Sequence, residues 1–434
     1  MKFTADLHIH SHYSIATSKE SNPIGIGKAA AIKGIDLIGS GDITHPAWRS
    51  ELKEKLQPAG DGIFRLKETY EKEIKRTLPS SVAGRHVFFI LTGEISSIYK
   101  KNGQVRKIHN LVMFPSFDRA DAFAHELEKR KCNIRSDGRP IIGIEAKNLL
   151  EIYLSVCPEG MFIPAHIWTP HFSLFGDKSG FDTIEECFEG LSTTIHAVET
   201  GLSSDPAMNW RLSALDRMAL VSNSDAHSPA KLAREANIFD TEMGFTAIRD
   251  SLQKKDHGFL GTIEFFPEEG KYHFNGHRKC TICMSPTESI KADNICPVCG
   301  KKMTIGVHHR VLELADREDP ERPEGAASFT SLVPLREIIA DLTGSAASKK
   351  TSECYDALIE NNGPELDILL NADISTIAEN AGDMLAEGIH RVRTGAVKKI
   401  PGYDGEYGRI VIFNEKEKND LKNKSAFKTH LHHH

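Results

Sequence analysis

Residues 6–14 read Asp6-Leu7-His8-Ile9-His10-Ser11-His12-Tyr13-Ser14. From residue 3 to residue 9, apolar side chains occupy every second position, which is typical of a β-strand. Because side chains two residues apart on a strand point to the same side, His8 and His10 should project together from the strand end. The pair is therefore predicted to bind a metal ion. A His-x-His pair is a weak signal alone, and its neighbours decide its value.

Later strand-like segments end in the same kinds of side chain. Their polar end residues are Asp42, His45, Glu94, His109, His166, Glu199, Asp225 and His227. In a β/α barrel the C-terminal ends of the strands meet at one face, and catalytic side chains collect there. The pattern therefore predicts an α/β protein in which these residues gather at one end of a barrel.

The composition is that of an ordinary globular protein. Of 434 residues, 40% are hydrophobic and 26% are charged, which suits two or three domains. No apolar run resembles a signal peptide or a transmembrane helix, so we expect a cytoplasmic protein without a membrane partner. The eight cysteines then indicate metal binding or buried thiols rather than disulfides. The net charge of −6 means that any nucleic-acid binding must rest on local patches.

Residues 1–268 are predicted to form the barrel domain, because strand-like and helix-like segments alternate along them. The candidate helices are Ile24–Lys33, Glu68–Thr77, Arg119–Lys131 and Pro206–Arg217. The candidate strands are Phe3–His8, Asp36–Gly39, Val87–Leu91, Ile108–Met113, Met161–Ala165, Ile195–Glu199 and Met218–Val221. These seven strands favour an irregular barrel. A further strand, Phe259–Phe266, is predicted to lead out of it.

Residues 269–319 are predicted to form a zinc ribbon. Cys280-x-x-Cys283 and Cys296-x-x-Cys299 are separated by twelve residues, a spacing that strongly indicates a tetrahedral structural zinc site. Residues 271–310 carry seven Lys or Arg side chains and two acidic ones. The ribbon is therefore basic, and we expect either a phosphate-contacting surface or a solvated surface beside a structural knob.

Residues 320–434 are predicted to form a mainly helical domain, with helices at Leu335–Leu342, Glu353–Asn361, Pro364–Leu370 and Ser375–Arg393, and a strand at Ile410–Phe413. The segment 390–399 carries four Lys or Arg side chains and no acid. Cations followed by tyrosines in turns suit a nucleic-acid contact. The candidate contact residues are Arg391, Arg393, Lys398, Lys399 and Tyr403. A solvated helix end before an ordinary turn explains the same pattern equally well.

The barrel domain carries more ligand-type side chains than one ion needs. The candidates are His8, His10, Asp42, His45, Glu94, His109, His166, Asp225 and His227. We expect two or three divalent ions, with zinc favoured by the mixed histidine and carboxylate set and manganese or magnesium as alternatives. There is no Walker loop and no Gly-x-Ser-x-Gly elbow. Hydrolysis by activated water is the chemistry that these residues support.

The order of these motifs resembles the polymerase-and-histidinol-phosphatase (PHP) superfamily over about the first 260 residues. The resemblance implies an irregular seven-stranded barrel with a trinuclear metal site that cleaves phosphoesters. It implies that His8, His10, Glu94 and Asp225 form the catalytic core around one ion, with Asp225 most sensitive to substitution. Glu94 would bridge to an ion held by His109 and His166. His227 would help to hold a third ion. The second motif departs from the family pattern of Thr-Asp-His, so that Asp42 and His45 both remain candidates for that ion. His12 is a further candidate, either for this ion or for a contact with phosphate.

With the ribbon and the C-terminal region included, nearly the whole chain resembles the endonuclease Q family. That resemblance implies a DNA repair endonuclease that cuts 5′ to deaminated bases (uracil, hypoxanthine, xanthine) and abasic sites. Double- and single-stranded DNA would be the partners. A sliding clamp stays open as a further partner, although no clamp-binding peptide is evident.

Two other functions were weighed. One is a small-molecule phosphatase of the same superfamily, which would need neither the ribbon nor the C-terminal domain. The other is a non-catalytic nucleic-acid-binding scaffold, which the nearly complete ligand set argues against.

Selection of one abnormal base predicts that the nucleotide is flipped out of the stack, with an apolar element filling the gap. His171 and Phe172, in the aromatic segment 168–175 that follows His166, are the candidates for this wedge. The alternative is a loop whose rings cover the barrel end.

Overall fold

The computed structural model describes residues 1–255 and 257–418. Its strands are β1 Lys2–Asp6, β2 Leu37–Gly39, β3 Leu56–Gly60, β4 Ile63–Leu66, β5 Phe88–Lys101, β6 Gln104–Phe114, β7 Ile141–Ile142, β8 Met161–Pro164, β9 Ala197–Glu199, β10 Ala219–Val221, β11 Ala236–Asp240, β12 Phe259–Glu264, β13 Asn275–His277, β14 Ile282–Met284, β15 Ser328–Ser331, β16 Lys398–Ile400 and β17 Arg409–Val411.

The helices are α1 Pro23–Lys33, α2 Pro46–Lys55, α3 Glu68–Lys75, α4 Phe117–Lys129, α5 Ala146–Val156, α6 Ile184–Phe188, α7 Pro206–Asn209, α8 Phe245–Lys254, α9 Pro286–Lys291, α10 Val307–Leu314, α11 Leu335–Thr343, α12 Lys349–Asn362, α13 Glu365–Leu370, α14 Ile374–Ala381 and α15 Asp383–Thr394.

Seven strands follow one another around an irregular barrel, in the order β1, β2, β5, β6, β8, β9 and β10. The pairs β1–β2, β2–β5 and β9–β10 are parallel, whereas β5–β6 and β6–β8 are antiparallel. Elsewhere hydrogen bonds from loop residues join neighbouring strands: Ile167 N donates to Glu199 O, and Leu7 N donates to the side chain of Asn223. The predicted fold class and its seven strands are confirmed.

The interior of the barrel is apolar at one end and polar at the other. Leu37, Ile90 and Leu111 belong to one buried apolar cluster that fills one end. Glu94 on β5 and His109 on β6 lie an even number of residues away from Ile90 and Leu111, and therefore on the same strand faces. The alternate side chains of the same strands point outwards and pack against the helices in a second apolar cluster. The apolar end thus supports the polar end, where the candidate ligands collect.

The strand β1 ends at Asp6, two residues earlier than predicted. His8 and His10 therefore lie just beyond the strand, on either side of Ile9. A parallel bridge pairs Ile9 with Ala226, and His10 N donates to Ala226 O. This bridge holds the His8–His10 segment beside the Asp225–His227 segment, so the first and last motifs of the barrel domain meet.

The C-terminal region is helical, as predicted, with one difference. The single helix expected over 375–393 is two helices, α14 and α15, separated by Gly382. Gly382 has φ +91 and ψ 153, a conformation that a side chain at Cβ would disfavour. The predicted helix 206–217 is also shorter, because α7 ends at Asn209.

Several contacts connect this region to the barrel, among them a strand pairing and a buried ion pair. The strand β15 extends the barrel sheet by pairing in parallel with β12. The carboxylate of Glu365 on α13 lies 2.5 Å from Lys33 Nζ on α1 and also accepts hydrogen bonds from Tyr355 and from Leu335 N. Lys33 and Glu365 are both buried, so each neutralises the charge of the other, and the hydrogen bonds to Glu365 offset the cost of burying its carboxylate. The predicted boundaries at 268 and 319 stay a prediction.

Among the described residues, no helix is both long enough and apolar enough to cross a membrane.

Candidate active site

Two groups of metal-type side chains meet at the polar end of the barrel and share Glu94. The first group contains His8, His10, Glu94 and Asp225, and the second contains Glu94, His109 and His166. One carboxylate oxygen of Glu94, Oε2, lies 3.6 Å from His8 Nε2 and 3.4 Å from His10 Nε2. The other, Oε1, lies 2.6 Å from His109 Nδ1 and 2.9 Å from His166 Nε2. Glu94 is therefore placed to bridge two ions.

The donor atoms of the first group fit a metal ion. Three of them are buried and make no hydrogen bond within the described residues: His8 Nε2, His10 Nε2 and Asp225 Oδ1. Asp225 Oδ1 lies 3.1 Å from His10 Nε2 and 3.8 Å from His8 Nε2. Buried polar atoms without partners are costly, and a bound cation would satisfy all three.

Two carboxylates behind the first group orient its histidines. Glu199 lies with both oxygens 3.0 Å from His8 Nδ1, and Asp42 Oδ1 lies 3.0 Å from His10 Nδ1. Asp42 Oδ2 accepts hydrogen bonds from Ser11 N and from the hydroxyl of Ser14. Such partners fix the ring orientation so that Nε2 faces the metal.

Three predicted ligands are not brought into either group. Asp42 is occupied with His10 and the serines. His45 caps α2, where its Nδ1 accepts from Trp48 N and its Nε2 donates to Arg135 O, so both ring nitrogens are used. The ring of His227 lies 4.4 Å from that of His10 between centroids, and its Nδ1 donates to Asp225 O. Among the described residues, no further group of three donor side chains in the barrel could hold a third ion.

The charges of the site favour positive charge at its centre. Burial alone would lower the pKa of His8, but Glu199 and Glu94 outweigh burial and hold that pKa well above its usual value. Burial would raise the pKa of Asp225, but the close approach of His10 Nε2 and the charges of both histidines lower it. At His109, burial dominates and lowers the pKa to about 4. Carboxylates that attract protons in this way also attract divalent cations.

Several residues of the site have a left-handed backbone conformation. Asp42, His166, Phe172 and Asp225 are not glycines, yet their φ angles are +47, +31, +63 and +47. Each such backbone conformation costs about 1–3 kcal/mol of folding free energy. It persists only where the surrounding structure holds the residue in place, which is common at functional sites. Gly201 shows how tightly His166 is held, because a Cβ at Gly201 would lie 2.4 Å from the Cβ of His166.

A second set of buried acids lies outside the ligand groups, in the barrel wall. Glu264 on β12 is fully buried and accepts hydrogen bonds from Thr262, Thr200 and Ser222. Burial raises its pKa to about 8, against the effect of these hydrogen bonds. Glu235 is also fully buried, and burial together with Glu264 raises its pKa. Burial therefore favours the protonated form of Glu264 in the folded protein.

This arrangement predicts a pH-dependent stability. Glu264 has a higher pKa folded than unfolded, so its contribution is complete below about 4.5 and is lost as pH rises towards about 8. Glu264→Gln imitates the protonated form, and hydroxyl partners can donate to or accept from an amide. We expect the melting temperature of the variant to fall less between pH 5 and pH 8 than that of the wild type. Thermal melts at matched metal concentration measure this, with the exposed Glu68→Gln as control. Parallel pH profiles would contradict it.

The ribbon forms a third donor group, which contains His277, Cys280, Cys296 and Cys299. His277 Nδ1 lies 3.3 Å from Cys299 Sγ. Burial would raise the pKa of Cys296, but backbone N–H groups of Cys299 and Val298 and the side chain of His277 lower it, which favours a thiolate. Cys283, the fourth predicted cysteine, is exposed and lies outside this group. On the β13–β14 hairpin it pairs with Gly276, next to His277.

The predicted DNA-contact residues of the C-terminal region fall into two kinds. Arg391 donates to Glu387, Glu417 and Ile412 O, and Arg393 donates to the carbonyls of Ile368, Leu369 and Ala372. The structure thus uses both guanidinium groups to hold the domain together, and their predicted contact with DNA stays a prediction. Lys398 and Lys399 are exposed. Tyr403 packs its ring against the backbone of Gly276, which connects the turn to the ribbon.

The aromatic segment after His166 reaches the second ligand group. The ring of Phe172 lies 4.9 Å from that of His109 between centroids, and Lys107 Nζ lies 5.0 Å from its centre. Phe172 is half-buried, whereas His171 is exposed. Trp168 and Phe175 are buried. Part of the segment therefore covers the barrel end, and His171 and Phe172 form its rim.

Comparison with solved structures places the chain in a family. It matches the crystal structure of the lesion-specific endonuclease PfuEndoQ from Pyrococcus furiosus with a TM-score of 0.82 and 31% identity, over 98% of this chain and 99% of that one. A structure of endonuclease Q with a 27-mer duplex substrate carrying an abasic lesion at the active site matches with a TM-score of 0.81 and 31% identity, over 96% of this chain and 98% of that chain. This chain belongs to the endonuclease Q family.

One family model and two sequence relatives also match the chain. Residues 334–396 match the family described as the MJ0043 C-terminal domain. The uncharacterized protein MJ0043 of Methanocaldococcus jannaschii is 32% identical over 251 residues, which are 56% of this chain and 31% of that relative, so the chain spans about a third of its length. The uncharacterized protein YqxK of Bacillus subtilis is 28% identical over 426 residues, which are 94% of this chain and 99% of that relative.

Membership in the endonuclease Q family confirms the prediction of a metal-dependent DNA repair endonuclease. The alternatives of a small-molecule phosphatase and a non-catalytic scaffold are therefore set aside.

Sequence reasoning missed three residues around the donor groups of this endonuclease Q family member. Glu199 was recognised as a polar strand end but not as the partner of His8. His277 has no spacing that separates it from the other histidines of the ribbon. Arg139 lies in an irregular segment and donates to Glu94 Oε2 over 3.3 Å. Only Glu199 had a signal in the sequence, namely its position at the end of a strand.

Proposed function

We propose that this endonuclease hydrolyses the phosphodiester on the 5′ side of uracil, hypoxanthine, xanthine and abasic sites, in double- and single-stranded DNA. The observation that carries the proposal is Glu94, whose two oxygens serve two donor groups at the open end of the barrel. Paired sites of this kind suit the in-line displacement at a phosphodiester. The solved relative with an abasic duplex at its active site supports the choice of lesion.

In this proposal, His8, His10, Glu94 and Asp225 hold one ion, Glu94, His109 and His166 hold a second, and zinc is the favoured metal. Ions in such a site supply activation of water and neutralisation of charge on the phosphodiester. Glu199 and Asp42 keep the Nε2 atoms of His8 and His10 directed at the site. His227, half-exposed beside His10, remains the candidate for helping to hold a third ion.

The ribbon is proposed to bind a structural zinc ion through His277, Cys280, Cys296 and Cys299. Three thiolates and one imidazole complete a tetrahedral shell, so this ion would have no open position for catalysis. The exposed cations Lys398 and Lys399 and the basic ribbon are proposed to contact DNA phosphates.

Recognition of the abnormal base is proposed to require base flipping. Deamination replaces an amino group with a carbonyl, so a pocket with a hydrogen-bond donor at that position would accept the deaminated base. Adenine or cytosine would leave that donor unpaired, which is costly. Extrusion costs a few kcal/mol in paired DNA and less in single strands.

His171 and Phe172 are the proposed wedge, and the prediction is a difference between substrates. His171→Ala with Phe172→Ala should reduce cutting at uracil in duplex DNA roughly ten-fold more than cutting at uracil in a single strand, because only the duplex has to be unstacked. Cleavage rates on both substrates measure this ratio. Since the ring of Phe172 packs on His109, the metal content of the variant is measured as well. A matched variant, His86→Ala, removes a histidine outside the aromatic segment. Equal losses on both substrates would reject the wedge.

The function itself is tested on oligonucleotides that each carry one modified base. We expect cleavage 5′ to uracil, hypoxanthine, xanthine and the abasic site, no cleavage of the unmodified duplex, and loss of all cleavage after chelation of metal. Denaturing gels with sequence markers locate the cut. A generic phosphomonoester is included, and turnover of it alone would overturn the proposal.

A further inference from the structure

An arginine from an irregular loop points into the first ligand group. Arg139 Nη1 lies 3.3 Å from Glu94 Oε2, the oxygen that also faces His8 and His10. The side chain of Arg139 is 27% exposed. It therefore reaches from the protein surface to the ligand atoms.

The backbone around Arg139 is fixed by contacts with segments that border the ligand groups. Gly138 N donates to Tyr13 O, and Ser96 N donates to Pro140 O. A Cβ at Gly138 would lie 2.3 Å from Asp42 Oδ2, so that the chain passes directly over the carboxylate that orients His10. Asp137 Oδ1 accepts from both Ile15 N and Arg139 N. The position of Arg139 is thus set in advance rather than left to a free loop.

The guanidinium group has unused capacity. Arginine carries five N–H donors, and among the described residues the side chain of Arg139 makes one hydrogen bond, to Glu94. Cations held by Glu94 and Asp225 would neutralise the carboxylates that face Arg139, which would leave its guanidinium group available to another anion. Its planar fork suits the two oxygens of a phosphate, and the nearest phosphate in the endonuclease reaction is the one that is cut.

We propose that Arg139 binds the scissile phosphate of the DNA strand and holds it against the ligand groups. This rests on the proposed function, since it assumes a phosphodiester substrate at Glu94. The competing role is that of a counter-ion, in which Arg139 only balances the charge of Glu94 and Asp225. The two roles differ in one respect, because only a phosphate-binding residue responds to the charge on that phosphate.

The test measures binding rather than turnover. Duplexes with one abasic site carry either a normal phosphodiester or an uncharged methylphosphonate at the cut position, and equilibrium affinity is measured with metal present, with Asp225→Asn in the background to prevent cutting. We expect Arg139→Gln to weaken binding of the normal duplex by roughly 10- to 100-fold, as for a charge-assisted hydrogen bond. The affinity for the methylphosphonate duplex should change little. Arg135→Gln, which removes an exposed charge four residues away, should leave both affinities near those of the background protein.

Two further measurements separate the outcomes. In Arg139→Gln, the slope of log affinity against log salt concentration should become shallower by about one, which corresponds to the loss of one phosphate contact. Arg139→Lys should recover part of the affinity. The counter-ion role would be established if Arg139→Gln has altered metal content and its affinity falls equally for both duplexes or for neither. If otherwise unaltered protein cuts none of the lesion duplexes, the proposed function fails. If it cuts them and Arg139→Gln binds as its background does, only the role of Arg139 fails.

Discussion

Asp225→Ala should lose at least roughly 1,000-fold of the rate at which lesion-containing DNA is cut, because a carboxylate of the first ligand group is removed. Its Oδ1 is buried without a hydrogen bond and lies 3.1 Å from His10 Nε2. The residue follows β10 at φ +47, and this left-handed turn directs its side chain at the histidines. Alanine tolerates such a φ less well than aspartate, so the folding of the variant is measured as well.

Two variants control this experiment. Asp225→Asn retains the shape of the side chain and removes its charge, and it should lose activity similarly. Asp240→Ala removes an exposed carboxylate from β11, where Asp240 pairs with Lys2 at the far end of β1 from His8, and it should cut normally. Circular dichroism confirms that each variant folds, and metal analysis counts bound ions. A folded Asp225→Ala protein with the unaltered cleavage rate would contradict the assignment.

Cys299→Ser should remove the zinc ion of the ribbon and unfold it, whereas Cys283→Ser should leave zinc in place. The physical reason is the donor group, which contains Cys299 and His277 but not Cys283. A structural zinc site contributes on the order of 10 kcal/mol to the folding of a small domain. The ribbon has short strands and little apolar core of its own, so this loss should be local and large.

Zinc content per chain and affinity for lesion duplex are the measurements. Cys299→Ser should lose one zinc ion and bind DNA more weakly, with the barrel ions retained. The matched variant Cys283→Ser removes a thiol from the same motif, and His277→Ala should behave like Cys299→Ser. Loss of zinc from Cys283→Ser with retention in His277→Ala would restore the four-cysteine set that the spacing alone suggests.

The sequence by itself determined the barrel and much of its ligand set. The seven strands could be predicted because each contains a short apolar segment with polar side chains near its end, and strand periodicity is a local property. Two of them are longer than predicted, because β5 continues to Lys101 and β6 already starts at Gln104. His8 and His10 share one motif, and His166 and Asp225 follow β8 and β10. Glu94 and His109 lie within the long strands β5 and β6. The order of these motifs along the chain also carried the family resemblance, which the solved structures then confirmed.

The tertiary structure decided which polar side chains share an ion and which orient another. Asp42 and Glu199 both follow strands as carboxylates, and only their distances to His10 and His8 show that they lie behind the ligands. His45 resembles a ligand in sequence, yet both of its nitrogens are used at the start of α2. The structure also shows that Arg391 and Arg393 have partners inside the C-terminal region, which the sequence does not reveal. Arg139 and His277 come close to their groups through loops and a hairpin, where spacing along the chain carries no information about distance in space.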